Sequence, residues 1–205
     1  CKIKSEFYFK EKLEQTIEFL INNFRNNEGF LGSAYDADSD GEEGKYYVFS
    51  YEEISEIENI DKYFEIKPEG NWENKIILVE KEKPNKSILK KLSEIRTKRN
   101  KPFFDDKTQL DLNCLTVSAL VAANEILPEK KYLKLAEELF LKIEKKYIGN
   151  KIYHSYSEGI VFIEDYAFLI NSLIDLSDKT MNFKYNDLAK KLSYEAIKKF
   201  YLDDK

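Results

Sequence analysis

Carboxylates are the groups in this chain with the clearest chemical potential. Asp36, Asp38, Glu42 and Glu43 crowd one stretch, "SAYDADSDGEEGKYYVF" (Ser33 to Phe49). Asp105 and Asp106 precede an apolar run beginning near Leu110, and Glu164 and Asp165 open another. Glycoside hydrolysis needs two such groups, one protonated to release the leaving oxygen and one ionised to attack or to activate water. Burial and like-charge crowding split the pKa values of two carboxyls in that way. Asp36, Asp38, Asp106 and Asp165 are therefore the candidate catalytic acids. Glu42, Glu43 and Lys107 are candidate ligand contacts beside them. The structural alternative is plain: Asp at a helix start is favoured by capping and by the helix dipole with no catalysis involved. An internal salt bridge to Lys107 would equally account for Asp105 and Asp106.

Asp36, Asp38, Asp40 and Gly41 also reproduce the opening of an EF-hand loop, D-x-D-x-D-G. Calcium takes six to eight oxygens in such a loop, two of them from a Glu at position twelve. Here position twelve is Tyr47 and position nine is Gly44, and a β-like run follows in place of a second helix. An EF-hand is not expected, and the acidic stretch reads as a candidate site, a calcium staple or a surface turn.

His154 is the only histidine. A sugar epimerase working with two His as acid and base is thus impossible within these residues, and one His makes no zinc set. His154 remains a candidate ligand contact in a turn of Tyr and Ser. Cys1 and Cys114 form no C-x-x-C and no framework, which points away from a stapled secreted domain and toward a reducing, cytoplasmic setting. No metal and no cofactor are expected. Of the abundant aromatics, Tyr46, Tyr47, Trp72, Tyr153 and Tyr156 fall in loops or strands, where sugar stacking is available to them.

The elements that must position these groups are mostly helical. Leu13, Ile17, Leu20 and Phe24 predict a helix from Phe7 to Asn23. Short strands are expected at Tyr46–Phe49 and Ile76–Val79. A capping box, Ser50 with Glu53, opens a helix over Tyr51–Ile57, and another helix runs from Ser87 to about Arg99. The second half repeats itself: "KYLKLAEEL" from Lys131 matches "KYNDLAKKL" from Lys184 at five of nine positions, offset by 53 residues. At the same offset "LTVSALV" lies over "FLINSLI". Each unit is an apolar inner helix followed by an amphipathic outer one. Stacked helix pairs of this length predict a single all-α domain, an (α/α) toroid or an arc of one, with a small β excursion near residues 45–80. Sites in such folds gather at one end of the inner helices, which adds Tyr166, beside Asp165, to the candidate ligand contacts.

Bulk composition closes several classes. Charged residues make up 35% and the net charge is -5, so the basic footprint of a nucleic-acid binder is missing. No run approaches the roughly 18 apolar residues of a membrane span, and "CKIKSEFYF", with neither an apolar h-region nor a cleavage site, is not expected to act as a signal peptide.

Four segments together resemble one family. "GSAYDADSDGEEGKYYVFSYEEI", "KPEGNWENKIIL", "RTKRNKPFFDDKTQLDLNCL" and "FIEDYAFLINSLIDL" are similar, in order, to signature segments of the spermatogenesis-associated protein 20 family, whose bacterial members are called YyaL-type. The resemblance spans Ser33 to Leu176. It implies an (α/α)6 toroid of the six-hairpin glycosidase and sugar-epimerase type, following a thioredoxin-like domain. This chain would then be a middle fragment of the toroid, with a carbohydrate ligand and a thioredoxin-like partner. The family's Trp-Asn-Gly triplet reads Leu112-Asn113-Cys114 here, leaving Asn113 as the candidate ligand contact and removing a stacking platform. The functional expectation is a carbohydrate-active domain, glycosidase-like or isomerase-like. A non-catalytic ligand-binding or scaffold domain is the alternative.

Overall fold

The 53-residue repeat folds as two helical hairpins. In the computed structural model, which describes residues 7–127, 131–149, 152–155 and 160–201, the first half of the chain carries α1 (Phe7–Asn23), β1 (Gly32–Tyr35), β2 (Asp38–Ser39), β3 (Glu42–Glu43), α2 (Tyr51–Ile54), α3 (Ile60–Tyr63), β4 (Phe64–Glu65), β5 (Val79–Glu80) and α4 (Lys86–Thr97). After β6 (Phe104–Thr108) come α5 (Leu110–Ile126), α6 (Lys131–Tyr147), α7 (Ile163–Thr180) and α8 (Phe183–Phe200). Cys1 and Tyr156 lie outside the described residues. The chain forms two compact units: the part up to Ala34 together with the part from Asp106 on, and Tyr35–Asp105. No described helix is long and apolar enough to cross a membrane.

The first unit is helical, and the repeat explains its core. Ala136 and Leu139 of α6 are buried, as are their equivalents Ala189 and Leu192 of α8. Leu110, Cys114, Val117 and Val121 form one buried stripe of α5, and Leu169, Leu173 and Leu176 do the same for α7. Burying side chains of this size contributes about 1.5–3 kcal/mol each. Ile17 anchors α1 to the same cluster, with Leu13 and Ile21 partly covered. The inner helices α5 and α7 are not buried all round as expected. Leu112 and Leu115 on α5, and Ile163 and Ile174 on α7, are exposed.

The second unit packs Phe49, Ile54, Ile60, Phe64, Ile76, Ile88 and Leu92 around α2 to α4. The Ser50–Glu53 capping box forms, with Ser50 Oγ accepting from the Glu53 N–H and the Glu53 carboxylate accepting from the Ser50 N–H. The strand expected at Tyr46–Phe49 is a turn instead. Arg99 is the reason: its Nη1 donates to the carbonyls of Lys45, Tyr46 and Val48, gathering the chain into a curl that no strand could satisfy. Only Phe49 makes a bridge, exchanging both backbone bonds with Ile76. The second strand is likewise shifted, pairing Val79–Glu80 with Phe64–Glu65. The Tyr51–Ile57 helix shortens to a single turn ending at Ile54.

Candidate functional site

The starts of α5 and α7 bring chemistry together in the helical unit. A helix start leaves N–H groups without intrahelical partners. At α5 one of these, on Leu110, donates to the carbonyl of His154 at 2.9 Å, while the His154 N–H donates to Ile160 at 2.8 Å. His154 is thereby held through both its carbonyl and its backbone N–H. At α7 the Asp165 carboxylate reaches back and accepts the Phe162 N–H at 2.8 Å. Its other oxygen lies 2.8 Å from His154 Nδ1, and the Asp165 side chain is fully buried.

The second imidazole nitrogen fixes the tautomer. His154 Nε2 lies 2.9 Å from the Gln109 side-chain nitrogen, which only donates. With the amide in this orientation Nε2 carries the lone pair, and Nδ1–H donates to Asp165. A relay therefore runs from Gln109 through His154 to Asp165, and the Phe162 ring meets the imidazole edge-on at 4.9 Å. Asp111, in the first turn of α5, places an oxygen 3.9 Å from Nδ1.

Asp111, His154 and Asp165 each offer a donor atom, all within 4.8 Å of one another, a spacing that suits a divalent cation. Their bonding favours another role. Nδ1 is committed to Asp165, and the remaining Asp165 oxygen to a backbone N–H, so the trio reads as a hydrogen-bonded acid–base couple.

Of the residues expected from sequence, Asp165 and His154 meet here. Asn113, fully buried, uses its amide on backbone: Oδ1 accepts from Leu31, and Nδ2 donates to Leu31 and Gln109. It sets the start of α5 against the chain entering β1. Tyr166 turns into the α7–α8 core, with its ring 5.8 Å from Phe200, and burial pushes its phenol pKa up. Asp106 and Lys107 stand exposed on β6, where their carbonyls accept from Asn26 and Ser33.

Asp36, Asp38, Glu42 and Glu43 belong to the second unit. The EF-hand-like stretch is a β-hairpin: Asp38 pairs with Glu43 and Ser39 with Glu42. Asp40 and Gly41 form its two-residue turn, both with positive φ, as the Asp-Gly turn of a tight hairpin requires. Asp36 accepts the Asp38 N–H, and Glu42 pairs with Lys45 at 2.9 Å. Glu42 and Glu43 line a polar cleft of about 900 Å³ with Trp72, Lys75 and Asn100.

Gln109, Asp111 and Arg99 were not singled out from the sequence. Asp111 had a signal, since it occupies the first turn of an inner helix as Asp165 does. Gln109 and Arg99 had none, because their roles depend on partners 45 and more residues away. No family model matches the chain, and no curated protein matches it.

Proposed function

We propose that the helical unit is a carbohydrate-active domain of sugar-isomerase type, part of an (α/α) toroid, with His154 as its proton-transfer group. The observation that carries this reading is the pairing of a fully buried Asp165 with the sole histidine. Asp165 holds Nδ1–H and so directs the Nε2 lone pair, the arrangement a general base needs. Nε2 would take the proton beside a sugar carbonyl once Gln109 swings aside, and Asp111 is the nearest second acid. The glycosidase form is weaker. Asp111 and Asp165 approach the roughly 5 Å separation of retaining enzymes. Asp165, however, has no exposed surface and already accepts two hydrogen bonds.

The toroid reading is supported by the repeat. Leu110, Cys114, Val117 and Val121 are buried on α5, and α5 packs against α7. Their equivalents 53 residues on are Ile163, Ala167, Ile170 and Ile174, the same stripe on α7, with Ile163 and Ile174 exposed. A face that takes a neighbouring hairpin in one unit is thus repeated in the next, as in a continuing array.

The test is exchange at the carbon beside the carbonyl. Mannose, glucose and N-acetylmannosamine in D2O, followed by proton NMR, should lose the C2 proton signal with the wild-type protein but not with His154→Asn or Asp165→Asn. No exchange above the blank for any of the three would sink the isomerase reading. A second reading, a ligand-binding or scaffold domain beside a thioredoxin-like partner, is favoured by one observation: Gln109 occupies Nε2. In that case the same variants lower the melting temperature without any catalytic consequence.

A further inference from the structure

The polar cleft of the second unit is built around the only tryptophan of the chain. Trp72 opens a tight turn closed by two backbone bonds with Lys75, at 3.0 and 2.7 Å. The two turn residues, Glu73 and Asn74, both have positive φ. One part of the indole packs on Gly44: a Cβ there would stand 3.4 Å from two ring carbons, in van der Waals contact with the ring. The indole borders two spaces at once. On one side lies the cleft of about 900 Å³ with Glu42, Glu43 and Asn100. On the other lies a smaller apolar recess with Tyr47 and Ile77, both about half exposed.

The charges around the cleft narrow the ligand. Five carboxylates and four cationic side chains line it. Several of them answer one another: Lys45 lies 2.9 Å from Glu42 and 3.9 Å from Asp40, and Arg99 holds Glu53 at 2.9 Å. Asn100 donates to Asp40 at 2.9 Å. A cleft balanced in this way offers little to a strongly charged ligand. It offers many fixed donors and acceptors to hydroxyl groups, beside the partly exposed indole of Trp72. That combination suits a sugar, whose C–H faces stack on aromatic rings while its hydroxyls bond to planar polar side chains.

We propose that this cleft and the adjoining recess together bind a neutral oligosaccharide, with Trp72 between them as the stacking platform, Tyr47 of the recess as a second aromatic contact, and Glu43 and Asn100 as hydroxyl partners. The site is a binding site and carries no chemical step. It lies wholly within the second unit and does not rest on the His154 reading.

Trp72 is its own reporter, because no other tryptophan contributes to the emission. The intact protein is titrated with maltohexaose, cellohexaose and chitohexaose up to millimolar concentration, with calorimetry alongside. A saturable change in Trp72 emission with at least one of them is expected. Tyr47→Ala and Glu43→Gln, both exposed positions, should each weaken that binding by about tenfold, and Trp72→Phe should weaken it further by calorimetry. His154→Asn should leave it unchanged, which separates failure here from failure of the isomerase reading. The proposal is overturned by no saturable change with all three probes. It is equally overturned by binding that Tyr47→Ala, Glu43→Gln and Trp72→Phe all leave intact.

Discussion

Arg99 grips Glu53 with one nitrogen and three backbone carbonyls with the other. Nη2 stands 2.9 Å from both Glu53 oxygens, and Nη1 reaches Lys45, Tyr46 and Val48. The guanidinium also lies 4.8 Å above the Phe49 ring. Its side chain is only 17% exposed, so the bonds to the three carbonyls are partly shielded from water, while the Glu53 carboxylate stays at the surface. One residue just beyond α4 thus shapes the turn that carries Tyr47 and closes the capping box of α2.

Arg99→Ala should therefore cost about 2–3 kcal/mol, since hydrogen bonds from a charged donor are the stronger kind and three carbonyls lose a partner together. Arg99→Lys should recover little, because an ammonium cannot span the same fork. Urea unfolding measures both, and proteolysis near residues 44–48 should accelerate in either variant. A loss below about 0.5 kcal/mol for Arg99→Ala would contradict this assignment.

The acidic hairpin should ignore calcium. Asp40 and Gly41 are turn residues, and Glu42 is paired with Lys45, so no converging set of oxygens is held in place. The melting temperature is expected to be the same in calcium and in chelator. Gly41→Val, by contrast, should cost about 1–2 kcal/mol, because a β-branched residue resists the φ of +78° found there. A calcium-dependent rise in melting temperature would restore the staple reading.

Legibility followed the range of the interactions. The helix Phe7–Asn23, the capping box at Ser50 and both repeat hairpins were readable because they depend on neighbours within a few residues or on periodicity. The strand expected at Tyr46–Phe49 failed because its apolar and aromatic residues answer to Arg99, more than 50 residues further on. The same limit hid half of the candidate site. Asp165 stood out as an acid at a helix start, but nothing local in the sequence says that His154 would complete it or that Gln109 would occupy the other nitrogen. The D-x-D-x-D-G pattern is discounted as an EF-hand because Tyr47 stands at position twelve, and its last two residues are the turn of a hairpin.

Alkaline pH should unfold the helical unit early. Burial raises the pKa of the Cys114 thiol and of the Tyr166 and Tyr185 phenols. With the folded pKa above the unfolded one, the unfolded state gives up its proton first, so stability is full below the unfolded values and falls as pH rises past them. The decline should begin as pH passes the ordinary thiol value near 9.0 and the phenol value near 10.0. Denaturant midpoints measured from pH 7 to 11 follow it, and Tyr166→Phe should flatten the upper part of the curve. A midpoint constant to pH 11 would contradict the burial of these groups.

Cys114 should be chemically silent in the native protein. It is fully buried, and that burial raises its pKa and keeps it protonated. In a Cys1→Ser background, a thiol reagent at pH 8 should react only at the rate of unfolding and stoichiometrically in denaturant. Rapid native labelling would show that α5 and α7 part readily at this point.

The repeat supplies an internal control for packing. Val121 on α5 and Ile174 on α7 occupy the same repeat position, yet Val121 is 5% exposed and Ile174 41% exposed. If burial alone decides the cost, Val121→Ala should destabilise by about 2 kcal/mol, the deletion of two methyls from a closed core. Ile174→Ala removes more atoms but from an open face, and should stay below about 1 kcal/mol. Equal losses would mean that the α7 stripe is covered in solution, and sedimentation should then find the protein associated. In that case Ile163→Ser with Ile174→Ser would be expected to return it to a monomer. Unequal losses in the stated order would leave the stripe open, with the two hairpins alike in sequence pattern and different only in what lies against them.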